Sequence, residues 1–148
     1  KLRCYTYLYP TNSKGEHDYD CPDLAVECAL KNMEQGFTAL KFDPAGPYSA
    51  YSGHQISLKT LARSEDFCRK IRAAVGNHCD LLFGTHGQMT PASAIRLAQR
   101  LEPYDPLWFE EPVPPGQAEA MAQVAAKTSI PIATGERLTT KYEFHDVL

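Results

Sequence analysis

The chain has 148 residues, 43% hydrophobic and 22% charged, with a net charge of −3. That length supports one domain with a sizeable core, and the absence of a Lys/Arg run interleaved with aromatics argues against a nucleic-acid surface. No apolar run is long enough to cross a bilayer and no signal peptide opens the chain; it starts at Lys1, as a segment from inside a longer protein would.

The cysteines are Cys4, Cys21, Cys28, Cys68 and Cys79. None forms a CxxC pair, and an odd number without a secretory signal suits reduced thiols in the cytoplasm. The most basic stretch, Arg69-Lys70-Ile71-Arg72, has helical spacing and reads as a solvated helix face.

The first strand is expected over Cys4–Tyr9 and ends at Pro10. A first helix starts near Pro22-Asp23, turns Leu24, Cys28 and Met33 toward a core, and ends at Gly36. The second strand covers Thr38–Asp43 and stops at Pro44. The loop after it, with Tyr48, Tyr51 and His54, is longer than most strand-to-helix connections, and such loops tend to cover sites. A second helix runs from Leu58 to Val75, with Phe67, Ile71 and Val75 in helical register. The third strand, Asp80–Phe83, precedes a helix opened by Thr90-Pro91 whose apolar face carries Ala94, Ile95, Ala98 and Leu101. A fourth strand, Leu107–Phe109, a helix over Gln117–Lys127 and a fifth strand, Ile130–Thr134, follow. A last helix begins near Lys141.

Alternating strands and helices imply a parallel sheet with helical crossovers. A doubly wound nucleotide-binding sheet would carry a glycine-rich first turn, and none follows the first strand. Ionisable residues gather instead at the carboxyl ends of successive strands, where a barrel holds its chemistry. The expected fold is therefore α/β, a partial (β/α)8 barrel comprising strands one to about five with their helices.

Lys41 and Asp43 end the second strand; Thr85, His86 and Gln88 follow the third; Glu110 and Glu111 end the fourth; Glu136 and Arg137 follow the fifth. Side chains alternate along a strand, so Lys41 and Asp43 share a face, whereas Glu110 and Glu111 cannot both enter the barrel mouth. Carboxylates from adjacent strands repel unless a cation lies between them, and oxygen ligands suit Mg2+. A rim of salt-bridged carboxylates is the competing reading. His54, Tyr9 and Arg137 are candidate substrate contacts by position, as is Asp43 beside Lys41.

Three segments carry a family resemblance: Gly36-Phe37-Thr38-Ala39-Leu40-Lys41, Trp108-Phe109-Glu110-Glu111-Pro112-Val113, and Pro131-Ile132-Ala133-Thr134-Gly135-Glu136-Arg137-Leu138. With them the chain resembles the mandelate racemase subgroup of the enolase superfamily, nearest to galactonate-type sugar-acid dehydratases and cycloisomerases of anhydro-sugar acids. The resemblance implies that residues 1–148 form the N-terminal and central part of an enolase-type barrel domain, with the capping domain and last strands lying elsewhere. It implies Mg2+ held by Glu110 and Glu136, with Gly84 where the family carries its first carboxylate ligand. Lys41 then faces the substrate carboxylate, and His86 is the acid for the departing hydroxyl. The implied activity is removal of a proton alpha to a carboxylate, then loss of water or opening of an ether bridge, giving a 2-keto-3-deoxy acid. The general base is expected beyond Leu148. Racemisation or epimerisation within the superfamily, and a non-catalytic relative that has lost a ligand, are the alternatives. The expected partner is a small sugar acid, not nucleic acid or membrane. The full-length protein is expected to be a cytoplasmic homo-oligomer.

Overall fold

The computed structural model describes residues 2–15, 18, 21–46 and 55–148. Its strands are β1 (Thr6–Tyr7), β2 (Ala39–Phe42), β3 (Asp80–Gly84), β4 (Trp108–Glu110) and β5 (Ile132–Ala133). Its helices are α1 (Pro22–Glu34), α2 (Leu58–Val75), α3 (Pro91–Leu101), α4 (Ala118–Ala125) and α5 (Lys141–Val147). The strands pair in chain order, β1-β2-β3-β4-β5, and every pair is parallel.

That order distinguishes the two parallel architectures. A doubly wound sheet reverses its strand order at a switch point and places helices on both faces. Here no reversal occurs, and α1 packs on α2, α2 on α3 and α3 on α4. The sheet is singly wound with one helical layer outside it, the architecture of a (β/α)8 barrel over five consecutive units.

The register sorts side chains onto two faces. Phe42, Phe83, Phe109 and Ile132 are successive partners on the helix side. Phe42 and Phe83 meet at 5.5 Å between ring centroids, Phe83 and Phe109 at 6.3 Å, and Phe67 from α2 reaches Phe42 at 5.5 Å. With Leu40, Leu61, Ile71, Leu81, Leu97 and Leu101, these rings make the core. The opposite face carries a second row of partners, Tyr7, Lys41, Leu82 and Trp108. Two residues further along, on that same face, come Gly84, Glu110 and Ala133.

Local chemistry fixes the helix ends. Ser57 accepts a hydrogen bond from the Thr60 N–H at 3.1 Å, and Thr90 does the same for Ser93 at 3.3 Å ahead of Pro91. Thr140 and Glu143 form a reciprocal capping box on α5. Gly36, at φ 95°, turns the chain out of α1 in a conformation that glycine adopts without strain. The core face of α1 differs from expectation: Ala25 and Ala29 are fully buried, while Cys28 and Met33 pack at the edge of the core. Small side chains on the buried face let α1 lie close against the core, and packing distance follows the size of the contacting residues.

The amino ends of the strands are tied by arginines. Arg72 donates to four backbone carbonyls, those of Gly76, Cys79, Tyr104 and Asp105, and so braces the segments that enter β3 and β4. Arg3 pairs with Asp80 at 2.6 Å and bonds Thr38. The charged site lies at the other end of the strands.

Among the described residues, β1 and β5 each pair on one side alone. Unpaired strand edges are templates for association. Produced by itself, this 148-residue chain is expected to self-associate or precipitate; a monomer in analytical ultracentrifugation at micromolar concentration would contradict that.

Candidate functional site

At the carboxyl end of the sheet, the Lys41 ammonium lies 2.6 Å from Glu110 Oε1, and the two side chains are 10% and 14% exposed. The second Glu110 oxygen accepts from the Trp108 indole N–H at 3.1 Å. Tyr5 and Tyr7 face the same ammonium, with ring centroids 5.6 and 5.7 Å from Nζ. The Tyr7 hydroxyl also reaches the Gly84 carbonyl at 3.4 Å, and Tyr9 stacks on Tyr7 at 4.8 Å. A charged pair with low solvent access thus stands in an aromatic surround, where both ions interact more strongly than in water.

Glu111 has a different environment. It is fully buried and adopts φ 47°, a left-handed conformation that is uncommon for a residue with a side chain. One of its oxygens accepts from the Thr134 hydroxyl at 2.8 Å and from the Gly135 N–H at 2.9 Å; the other meets Arg137 at 3.3 Å. Arg137 in turn donates to the His86 carbonyl at 2.9 Å. The Thr85 hydroxyl donates to the Glu110 and Glu111 carbonyls, and the Gly87 N–H to the Glu111 carbonyl. Glu111 therefore ties the loops after β3 and β5, the first through its backbone carbonyl and the second through its carboxylate. The Gly135 N–H leads directly into Glu136, and Arg137 links the same carboxylate to the His86 backbone.

His86 is exposed just past β3, and its N–H donates to Gln88 at 2.8 Å. Glu136 is exposed just past β5, with no hydrogen bond or ion pair among the described residues. Asp43 follows β2 and accepts from the Ala45 N–H at 2.9 Å, while Arg63 bonds the Ala45 carbonyl and braces that turn. Tyr9 is 47% exposed, and His54 lies outside the described residues. The structure thus brings Lys41 and Glu110 into direct contact, puts His86 and Glu136 on adjoining loops, and engages Arg137 with Glu111.

Tyr5, Tyr7, Trp108 and Thr134 did not stand out in the sequence. Trp108 was within reach of the argument, because it precedes Glu110 by two residues and must share its face. Tyr7 could not be found that way: its place depends on the pairing of β1 with β2, which no local pattern reveals.

The donor set can be tested against a divalent cation. No group of three His, Cys, Asp or Glu side chains is clustered for a metal among the described residues. Glu110 and Glu136 remain as carboxylates from neighbouring strand ends. Mg2+ commonly takes one or two protein carboxylates and completes its shell with water and substrate oxygens, and two carboxylates are donors of that chemistry.

Comparison with known proteins agrees with this geometry. The family model of enolase C-terminal domain-like proteins matches residues 24–148. A D-galactonate dehydratase from Xanthomonas euvesicatoria pv. vesicatoria is 46% identical over 133 residues, covering 87% of this chain and 33% of that protein. A D-gluconate dehydratase from Thermoproteus tenax is 37% identical over 122 residues, covering 82% of this chain and 24% of that protein. The chain thus spans a third or less of the length of these relatives. A crystal structure of a candidate mandelate racemase/muconate lactonizing enzyme from Burkholderia SAR-1 superposes with a TM-score of 0.93 at 76% identity, over 99% of this chain and 36% of that one. The singly wound sheet, the strand-end charges and these likenesses agree, and the chain belongs to the enolase C-terminal domain-like family of the enolase superfamily.

Proposed function

We propose that the full-length protein is a Mg2+-dependent sugar-acid dehydratase, and that this chain supplies the cation ligands Glu110 and Glu136, the carboxylate-binding Lys41 and the acid His86. The observation that carries the reading is the Lys41–Glu110 pair at 2.6 Å, held with little solvent access at the carboxyl end of a parallel sheet. Relatives named as galactonate, gluconate and xylonate dehydratases support the substrate class.

A proton alpha to a carboxylate is weakly acidic because its removal spreads a second negative charge onto the carboxylate oxygens. A bound Mg2+ would supply positive charge there. Lys41 adds an ammonium donor on the same side of the substrate carboxylate. Its aromatic surround limits the water that would screen it. A base on another part of the barrel removes the alpha proton. His86 then gives a proton to the β-hydroxyl as the carbon–oxygen bond breaks. Water leaves, and the enol tautomerises to a 2-keto-3-deoxy acid. Opening of an ether bridge uses the same transfers. In this reading Asp43, Tyr9, His54 and Arg137 contact the substrate. A homo-oligomer in the cytoplasm belongs to the same reading.

Turnover is the direct check. With Mg2+ present, the full-length protein should convert D-galactonate, D-gluconate or another member of a sugar-acid panel to a 2-keto acid, detected as its semicarbazone; failure across the whole panel would refute the assignment.

The ligands are separable by substitution. Glu136→Gln is expected to weaken Mg2+ binding about 100-fold with the fold retained, as measured by calorimetry. Glu111→Gln should cost less, because its side chain faces Thr134 and Arg137. Equal losses would count against Glu110 as the cation ligand of the pair.

His86→Asn should slow elimination by about 100-fold or more, in the range of general-acid contributions. Exchange of the alpha proton with deuterated solvent, followed by NMR, should persist, because the base does not depend on His86. Loss of exchange along with elimination would remove His86 from the acid role.

A further inference from the structure

Gly84 stands beside Glu110 in the register, on the face that carries Lys41. Its backbone does not require glycine, for it ends β3 and is not among the positive-φ residues. Its surroundings do. A Cβ on Gly84 would collide with Lys41 Cε, and would stand 3.2 Å from Lys41 Cγ and 3.0 Å from the Tyr7 hydroxyl oxygen. The space that a side chain would take is filled by the lysine stem, which lies across the strand end to deliver its ammonium to Glu110 at 2.6 Å. Trp108 occupies the other Glu110 oxygen. Both carboxylate oxygens already have donors, and the charge is already balanced.

We propose that Lys41 is the resident counter-ion of Glu110, that Gly84 makes this pairing possible, and that Lys41 competes with a divalent cation for that carboxylate. The inference rests on the reading of Glu110 and Glu136 as cation ligands. An ammonium and a divalent ion cannot share one shielded carboxylate oxygen without strong repulsion. As a cation enters, Lys41 must leave Glu110. The freed ammonium then needs another anion, and the carboxylate of an incoming acid provides one. Displacement of Lys41 thereby couples loading of the cation to capture of an acidic substrate.

Loss of the lysine should therefore improve cation binding. The full-length protein, Lys41→Met and Gly84→Ala would be titrated with MgCl2 by calorimetry. Trp108 emission would be read in parallel and assigned with a Trp108→Phe control. Lys41→Met is expected to bind Mg2+ about tenfold more tightly than the parent, the scale of a charge-assisted hydrogen bond. Gly84→Ala keeps the lysine but pushes its stem aside, and should shift affinity in the same direction by a smaller factor. Trp108 emission should change on titration, because its indole bonds the contested carboxylate. Equal or weaker binding in folded variants, with binding by the parent intact, overturns the exchange and leaves the cation reading standing. No binding by any of the three overturns both. Should Lys41→Met fail to fold, Gly84→Ala decides alone, tighter binding supporting the exchange and unchanged or weaker binding overturning it.

Discussion

The unbroken parallel register is the constraint on which the rest of this structure depends. Because β1 to β5 pair in sequence order, one row of side chains faces the helices and another faces away. The row of Phe42, Phe83, Phe109 and Ile132 can then be wholly apolar, and it supplies the core. The row of Tyr7, Lys41, Leu82 and Trp108 is free to be mixed, and it supports charges. A slip of one residue in any strand would exchange the two rows, placing Lys41 among phenylalanines and Phe42 beside Glu110. Register fidelity is thus a condition for both the core and the site.

The two ends of the sheet are built differently. At the amino end, Arg72 and Arg3 spend their hydrogen bonds on backbone carbonyls and on Asp80. At the carboxyl end, Glu111 organises three loops from a buried position, and Lys41, Glu110, His86 and Glu136 are arranged around them. This separation lets a barrel change its chemistry through loops without disturbing the ties that hold its strands.

Much of this was legible in the sequence because its signals are local. Helix α2 was readable over Leu58–Val75 from its apolar spacing, and α3 from Thr90-Pro91. The first, second and fifth strands were drawn too long, and the third and fourth stopped one residue short: β1 was expected over Cys4–Tyr9 and pairs over Thr6–Tyr7 alone, since aromatic residues favour extended backbone whether or not a neighbour completes the ladder. The alanine face of α1 was missed because hydropathy ranks alanine below leucine, whereas close helix packing rewards small size. In the site, alternation separated Glu110 from Glu111. A salt-bridged carboxylate was the competing reading of the strand ends, and Glu110 is one; that Lys41 reaches it from a strand that is not its neighbour, across the space left by Gly84, was not legible.

The left-handed backbone at Glu111 has one further consequence. Regular alternation would send two adjacent glutamates to opposite faces of the sheet, and the second would be driven into the hydrocarbon layer beneath the helices. The turn at φ 47° interrupts that rhythm at its last beat. The second carboxylate is carried sideways to the neighbouring strand end, where Thr134, Gly135 and Arg137 receive it. A pair of identical letters thereby acquires two meanings from a single torsion angle. The first glutamate faces Lys41 and Trp108 in the site, and the second is committed to the scaffold.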